Sequence, residues 1–397
     1  MNWEMPEGFR FAGLHCGIKR DKTREDISLV VADANCVAAG VYTQNRVFAA
    51  PVQLDRDRTP SDRIRAIVIN SGNANACTGE RGLRDAHRMT ELVGEAVGVG
   101  ADQVLVLSTG IIGEHLPLAV IEQGIRAAAS RLARDEASVV SAARGMMTTD
   151  TRHKVLSRQV TCGAKSYRLF GMAKGAAMIG PNMATMLGVV LTDAPLRKED
   201  ARDLLRHAVE DSFNCISVEG HMSTNDTVLL LSLTPDGGAP LSGQDLADFG
   251  AGLDEACADL AREIPLDGEG ATHLMEIHVT GCPTREQART IAKAIADSPL
   301  VKTAVAGADP NWGRIVSAAG YSGVVFDTQR VVLHVNGQLL FQNGMPVPFD
   351  AAAVSASIRD NHTTRIDFQM NQGEASIRFW TCDLTAEYVR LNADYHT

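Results

Sequence analysis

Apolar positions along the chain alternate between two spacings, and this alternation predicts an α/β fold. Short apolar runs typical of strands cover residues 26–32, 37–43, 65–70, 104–107, 185–192 and 227–233. Spacings of three and four predict helices over residues 82–97, 138–147, 198–213, 244–263 and 285–296. Towards the carboxyl end, strands at residues 330–335, 365–369 and 375–380 are interspersed with helices at 351–358 and 385–391. We expect mixed sheets sandwiched by helices.

Two local predictions follow from the same pattern. The runs at residues 26–32 and 37–43 are separated by Asp33, Ala34, Asn35 and Cys36, which fits a hairpin turn. Residues 301–305 contain three β-branched side chains, Val301, Thr303 and Val305, and they are predicted to form a strand.

Composition narrows the class of protein. The chain has 397 residues, 45% of them hydrophobic and 22% charged, as in ordinary globular proteins. Its net charge of -10 and the lack of a basic cluster with aromatic residues argue against a nucleic-acid partner. No long apolar run predicts a membrane segment, and the first ten residues do not read as a signal peptide. The eight cysteines show no CxxC pair, so we expect reduced thiols, a cytoplasmic location and no metal site.

Polar loops repeatedly adjoin the ends of predicted strands. One loop covers residues 70–79, and another, residues 217–226, precedes the strand at 227–233. After the strand at 104–107, Ser108, Thr109 and Gly110 offer a hydroxyl and an unobstructed backbone N–H, the donors that an oxyanion hole needs. The alternative for these residues is a cap for a helix at 116–133. The acidic string at residues 267–272 is either an exposed turn or a carboxylate delivered to a site.

The stretch from Lys174 to Ala194 has two halves of different character. Its first half is a glycine-punctuated loop, and its second half is the apolar strand that begins at Thr185, after the small Ala184. A cut before Thr185 would free an α-amine with a pKa of about 7.7 to 8 beside a hydroxyl nucleophile, which supports N-terminal-threonine catalysis. The plainer interpretation is a threonine that satisfies hydrogen bonds of a turn.

Seven strings of the sequence together resemble one enzyme family. They are residues 70–79, 108–114, 174–194, 223–231, 267–272, 307–314 and 392–397. Their residues and order, from residue 8 to the end, are similar to the arginine-biosynthesis ornithine acetyltransferases, also called glutamate N-acetyltransferases.

The resemblance implies a self-cleaving enzyme of the N-terminal-nucleophile type with that family's fold. The cut would lie between Ala184 and Thr185 and give an α chain of residues 1–184 and a β chain of residues 185–397. Thr185 would then take an acetyl group from N-acetyl-ornithine, form acetyl-Thr185 and pass the acetyl group to glutamate. The resemblance leaves acetyl-CoA open as a further donor, requires no cofactor, and implies an α2β2 assembly.

It also assigns roles to residues of this chain. Thr109 and Gly110 would hold the oxyanion, and Lys174 and Glu269 would bind the charged ends of the substrate. The remaining pocket residues would be Thr148, Asn392 and the carboxyl-terminal Thr397.

The chain departs from the family pattern at a few positions. Many members have Asp-Gly-Asp-Thr where this chain has Glu219-Gly220-His221-Met222. Arginine often stands at the position of His396, and Ser-Gly is common at the position of Ala176-Ala177. These departures put the choice of donor and acceptor in doubt. The alternatives are a paralogous acetyltransferase of secondary metabolism, a related-fold aminopeptidase or amidohydrolase, and a binding protein without activity.

Overall fold

The computed structural model describes residues 3–180, 186–234 and 238–394. Strands β1 to β14 span Phe9–Leu14, Ile27–Tyr42, Ser61–Asn73, Val104–Ile111, Lys154–Cys162, Lys165–Lys174, Leu187–Thr192, Thr227–Ser232, Leu274–Cys282, Val332–Val335, Gln338–Gln342, Met345–Pro346, Thr363–Gln369 and Ala375–Cys382. Helices α1 to α11 span Ala50–Arg58, Gly79–Val97, Leu118–Ala129, Glu136–Met146, Lys198–Glu210, Gly243–Leu266, Arg285–Ala296, Pro299–Ala306, Trp312–Gly320, Ala351–Arg359 and Ala386–Asp394.

The strands form two mixed sheets. In the first sheet the order is β4-β3-β2-β8-β7-β6-β5, with β1 also paired to β2, and in the second it is β12-β11-β10-β13-β9-β14. The pairs β3/β4, β7/β8 and β9/β13 are parallel, and the others are antiparallel. Helices pack against both sheets, so the predicted α/β class with mixed sheets and helices is confirmed.

Strand β7 lies inside the first sheet and is buried on both faces. Leu187, Val189 and Leu191 pack into a core shared with α4, whereas Val190 faces a second core built with α5 and α6. Burial on both sides explains why this segment is apolar throughout instead of alternating. The strand that follows residue 185 is therefore held firmly by β6 and β8.

Helix α7 shows how well local signals can place an element. Its observed bounds, Arg285–Ala296, equal the predicted ones. Thr284 caps the helix by accepting a hydrogen bond from the backbone N–H of Gln287, and Ala288, Ile291 and Ile295 form the buried face.

Two local predictions were wrong. The expected hairpin over residues 26–43 is one strand, β2, whose exposed residues 33–35 lie where the register shifts and the pairing passes from β3 to β8. The expected strand at residues 301–305 lies in α8, because Pro299 begins the helix and the Ser298 side chain accepts a hydrogen bond from Val301 N–H.

All eight cysteines are free, and six of them are buried. Among the residues that the structure describes, no helix combines the length and the apolar character that crossing a membrane requires.

Candidate active site

The parallel pair β3/β4 ends in a network of polar side chains. Asn70 lies opposite Ser108, and the Ser108 hydroxyl donates to Asn70 Oδ1 over 2.6 Å. Asn225, from the loop before β8, donates through Nδ2 to the carbonyl oxygens of Ala74 (2.6 Å) and Ser108 (2.8 Å). Three chain segments are thereby fixed around the end of β4.

Thr109 and Gly110 follow within this rigid strand end. Lys174 Nζ donates to Thr109 Oγ1 over 3.1 Å, so the hydroxyl proton of Thr109 stays available for another acceptor. Gly110 has a φ of 132°, and a Cβ there would collide with the backbone of Gly72 and Asn73. Only glycine fits at this position.

Lys174 ends β6 and is only 1% exposed. Burial lowers the pKa of Lys174, while the carboxylates of Asp150, Asp226 and Glu269 act in the opposite direction. A buried ammonium surrounded by these acids can orient the Thr109 hydroxyl and supply positive potential to the neighbouring space.

Behind Lys174 lies a buried ion cluster that sequence analysis did not find. Lys154 Nζ contacts Asp150 Oδ1 at 2.7 Å and Asp267 Oδ2 at 2.6 Å, and side-chain exposure is 0% for Lys154 and Asp150 and 3% for Asp267. Burial raises the pKa of Asp150, but the ammonium groups of Lys154 and Lys174 outweigh it and hold the pKa well below its ordinary value. Asp150 also accepts from Gly175 N–H over 2.7 Å, which fixes the turn after Lys174.

Glu269 lies in the turn after α6, so it combines the two interpretations of its sequence: it is part of a turn and it carries a carboxylate into a cavity. Its backbone N–H donates to Ala176 O over 2.9 Å. Asn392 Nδ2, on α11, donates to Glu269 Oε2 over 2.7 Å. These contacts tie the turn to the central stretch and to the carboxyl-terminal helix.

Asp226 holds the chain at the start of β7. Its Oδ1 accepts from Met186 N–H over 3.0 Å, and Met186 O accepts from Thr227 N–H over 3.2 Å. Asp226 is fully buried, and burial raises the pKa of its carboxyl group well above the ordinary value. Met186, the residue that follows Thr185 in the chain, therefore has both backbone polar groups engaged.

These segments surround a cavity of 220 Å³. Its wall contains five of the predicted site residues: Thr109, Gly110, Thr148, Glu269 and Asn392. Lys174 contacts Thr109 but is not part of the wall. Predicted residues Ala184, Thr185 and Thr397 lie outside the described residues.

Sequence reasoning did not predict several other wall residues. They share a place in loops or on α11, and they are Ala74, Ile112, Thr149, Ala177, Met178, Glu219, His221, Ser223, Thr224, Asn225 and Tyr388. Five of them lie within residues 219–225, and the polar loop at residues 217–226 was the feature of the sequence that indicated this part of the wall. Within the described ranges, no three His, Cys, Asp or Glu side chains form a group that could hold a metal ion.

The profile of the ArgJ family matches residues 10–397 of the chain. The chain belongs to the ArgJ family. The resemblance identified from the seven sequence strings is therefore confirmed.

Individual ArgJ relatives match over nearly their whole length. The arginine biosynthesis bifunctional protein ArgJ of Rhodopirellula baltica is 43% identical, over 99% of this chain and 96% of the relative. That of Thermotoga neapolitana is 44% identical, over 99% of this chain and 100% of the relative. The crystal structure of the Bacillus halodurans protein of the same name matches with 36% identity and a TM-score of 0.50, over 51% of this chain and 96% of that chain.

Proposed function

We propose that this member of the ArgJ family is an acetyltransferase of arginine biosynthesis that moves an acetyl group from N-acetyl-ornithine to glutamate. The observation that carries the proposal is the convergence of Thr109, Gly110, Thr148, Glu269 and Asn392 on one small cavity. These residues come from four distant parts of the sequence. The similarity to arginine biosynthesis bifunctional proteins supports the pathway.

The proposal includes self-cleavage between Ala184 and Thr185. The Thr185 hydroxyl attacks the Ala184 carbonyl, and the acyl group shifts from nitrogen to oxygen, which frees the α-amine of Thr185. Water then hydrolyses the ester and releases the Ala184 carboxylate and the Thr185 hydroxyl. The fixed backbone of Met186, which follows Thr185 in the chain, supports this role. The match to the Bacillus halodurans structure covers 96% of that chain but only 51% of this chain. A chain of that length is in keeping with one of the two fragments that such a cut would yield.

In the transfer reaction, the freed amine of Thr185 takes the hydroxyl proton while the oxygen attacks the acetyl carbon. Thr109 Oγ1 and Gly110 N–H donate to the oxyanion of the tetrahedral intermediate, and ornithine leaves with the proton. The amine of glutamate then attacks acetyl-Thr185 in a second passage through the same oxyanion site. Lys174, Thr148, Glu269, Asn392 and Thr397 bind the substrates.

The proposal extends to assembly and location. The two fragments, residues 1–184 and 185–397, form an α2β2 enzyme in the cytoplasm. The eight free cysteines are in keeping with a reducing compartment. Sedimentation of the purified protein tests the assembly.

A product assay tests the function. The protein is incubated with N-acetyl-ornithine and glutamate, and N-acetylglutamate and free acetate are measured by mass spectrometry. We expect N-acetylglutamate in excess over acetate. Acetate alone would contradict the proposal and favour the related hydrolase. An assay with acetyl-CoA as the sole donor decides whether the chain also uses that thioester.

A further inference from the structure

The proposed reaction sets an electrostatic problem for the cavity. The donor, N-acetyl-ornithine, carries a δ-ammonium group, whereas the acceptor, glutamate, carries a γ-carboxylate at a similar distance from its α-carbon. A wall group of fixed charge that attracts one of these side chains repels the other, and the effect is strong in a cavity of low dielectric constant. A group that changes its charge between the half-reactions removes this conflict.

Glu219 has the position and an unbonded carboxyl oxygen for this role. It forms part of the cavity wall, together with Glu269 and Tyr388. Its Oε1 accepts from Ile179 N–H over 2.7 Å, which fixes the orientation of the carboxyl group. Its Oε2 is buried and lacks a well-formed hydrogen bond among the residues that the structure describes, although the backbone N–H of His221 lies close enough to favour the carboxylate. A buried carboxyl oxygen without a partner is costly, so the arrangement favours a ligand that supplies one.

The other carboxyl group of the wall, that of Glu269, has one of its oxygens engaged. Glu269 Oε2 accepts from Asn392 Nδ2. Lys154 and Asp150 are paired within the buried ion cluster, and they lie outside the cavity wall. Of the two wall carboxyl groups, Glu219 is the one whose second oxygen is buried without a hydrogen bond among the described residues.

The surroundings of Glu219 allow both protonation states. Burial raises the pKa of Glu219 to about 8, Ile179 N–H and the Lys302 ammonium counteract this rise, and Glu269 adds to it. The titratable groups facing it from packed elements are Lys302 on α8, Glu269 after α6, Cys382 at the end of β14, and Tyr388 on α11, with His221 in its own loop. Lys302 Nζ is held by Thr381 Oγ1 at 2.8 Å and by the Cys382 carbonyl, so its charge stays in place.

We propose that Glu219 is the specificity residue that receives both substrate side chains in turn, as a carboxylate for the δ-ammonium of the donor and as a neutral acid for the γ-carboxylate of the acceptor. This inference rests on the proposed function. Glu219 releases its proton to solvent when the donor binds, and it takes one up from solvent after ornithine leaves. The neutral acid then donates its proton in a hydrogen bond to glutamate.

Two donors that differ only at the side-chain terminus test the proposal. N-acetyl-norvaline has the carbon chain of N-acetyl-ornithine but lacks its ammonium group. Both donors react with the same Thr185 amine. The donor ratio, defined as kcat/KM for N-acetyl-ornithine divided by kcat/KM for N-acetyl-norvaline, is therefore independent of the titration of the nucleophile. In the wild type we expect this ratio to rise between pH 6.5 and 9, by about 10- to 100-fold, the effect of a hydrogen bond to a charged group.

The variant Glu219→Gln should lose this rise. Its ratio should stay flat with pH and lie about 10- to 100-fold below the wild type at pH 9. Its kcat/KM for glutamate should remain within about threefold, because the amide N–H replaces the O–H donor. Glu219→Asp restores an ionisable group and should restore the rise, and the exposed Glu374→Gln serves as the matched control.

The outcomes separate the two proposals. Absence of transfer from N-acetyl-ornithine to glutamate in the wild type would overturn both. Transfer with an equal, pH-independent donor ratio in the wild type and in Glu219→Gln would overturn the role of Glu219 alone. Loss of both donors together in Glu219→Gln would also contradict a role in specificity.

Discussion

Replacing Lys154 by methionine should be among the most destabilising single changes in this protein. The substitution removes the ammonium group between Asp150 and Asp267 and keeps most of the side-chain volume. Both carboxylates are buried, with exposures of 0% and 3%, so water cannot replace the lost charge. Removing one partner of such a buried pair costs about 3 to 5 kcal/mol.

A matched control uses the same substitution at an exposed pair. Lys293 Nζ contacts Asp297 at 2.9 Å, and the Lys293 side chain is 47% exposed. Pairs of this kind contribute about 0.3 to 0.5 kcal/mol. Lys293→Met should therefore lower the free energy of unfolding far less than Lys154→Met.

The pH dependence gives the prediction a second readout. The folded-state pKa of Asp150 is depressed, so its contribution to wild-type stability is complete above the unfolded pKa of about 3.9 and is lost as pH falls towards the folded pKa. In Lys154→Met the attraction of the Lys154 ammonium is lost, so we expect burial to raise the pKa of the Asp150 carboxyl group. The variant is then stabilised as pH falls, because protonation removes the buried charge. The difference in unfolding free energy between wild type and Lys154→Met should shrink from pH 7 to pH 4.

The assay is urea unfolding followed by circular dichroism. It is best performed in a Thr185→Ala background, where the chain is expected to stay uncut and unfolding involves one polypeptide. A loss no larger than that of Lys293→Met, or a loss that does not vary with pH, would refute the reasoning.

The oxyanion residues give two further predictions. Thr109→Val should lower kcat about 10²- to 10³-fold, the cost of one oxyanion donor, whereas Thr109→Ser should retain most activity; equal activity of the two variants would contradict the assignment. Gly110→Ala should lower kcat and the melting temperature, because its Cβ meets the backbone of Gly72 at a φ of 132°. The control Gly113→Ala has a φ of 87° but an open surrounding, so it separates backbone strain from collision; equal effects in both would argue against the collision.

The fold was predictable where sequence signals are local. The helix α7 carries its own cap and amphipathic face, and strand β7 is apolar on both faces because both are covered. The sequence of β2 predicted a hairpin because Asp33 and Asn35 are typical of a turn, whereas the continuity of the strand depends on its pairing with β8. Helix α8 was missed because the Ser298 cap was outweighed by the β-branched residues after it.

The candidate site was predictable only in part. Thr109 and Gly110 could be identified from a strand that ends in a hydroxyl and a glycine. Their meeting with Glu269 and Asn392 depends on the arrangement of loops from distant segments, which no local pattern encodes, and the family resemblance supplied it. Glu219 stood out in the sequence only as a departure from the family pattern, because its unpartnered buried oxygen is a property of packing.

The central claim is that the chain cuts itself before Thr185 and uses that threonine to carry the acetyl group. Mass spectrometry of the denatured protein, before and after addition of N-acetyl-ornithine, tests it most directly. The account predicts two fragments, one ending at Ala184 and one beginning at Thr185, with the second gaining the mass of one acetyl group. It also predicts a single unmodified chain for Thr185→Ala. An uncut wild-type chain with full transferase activity, or an acetylated Thr185→Ala variant, would contradict the account.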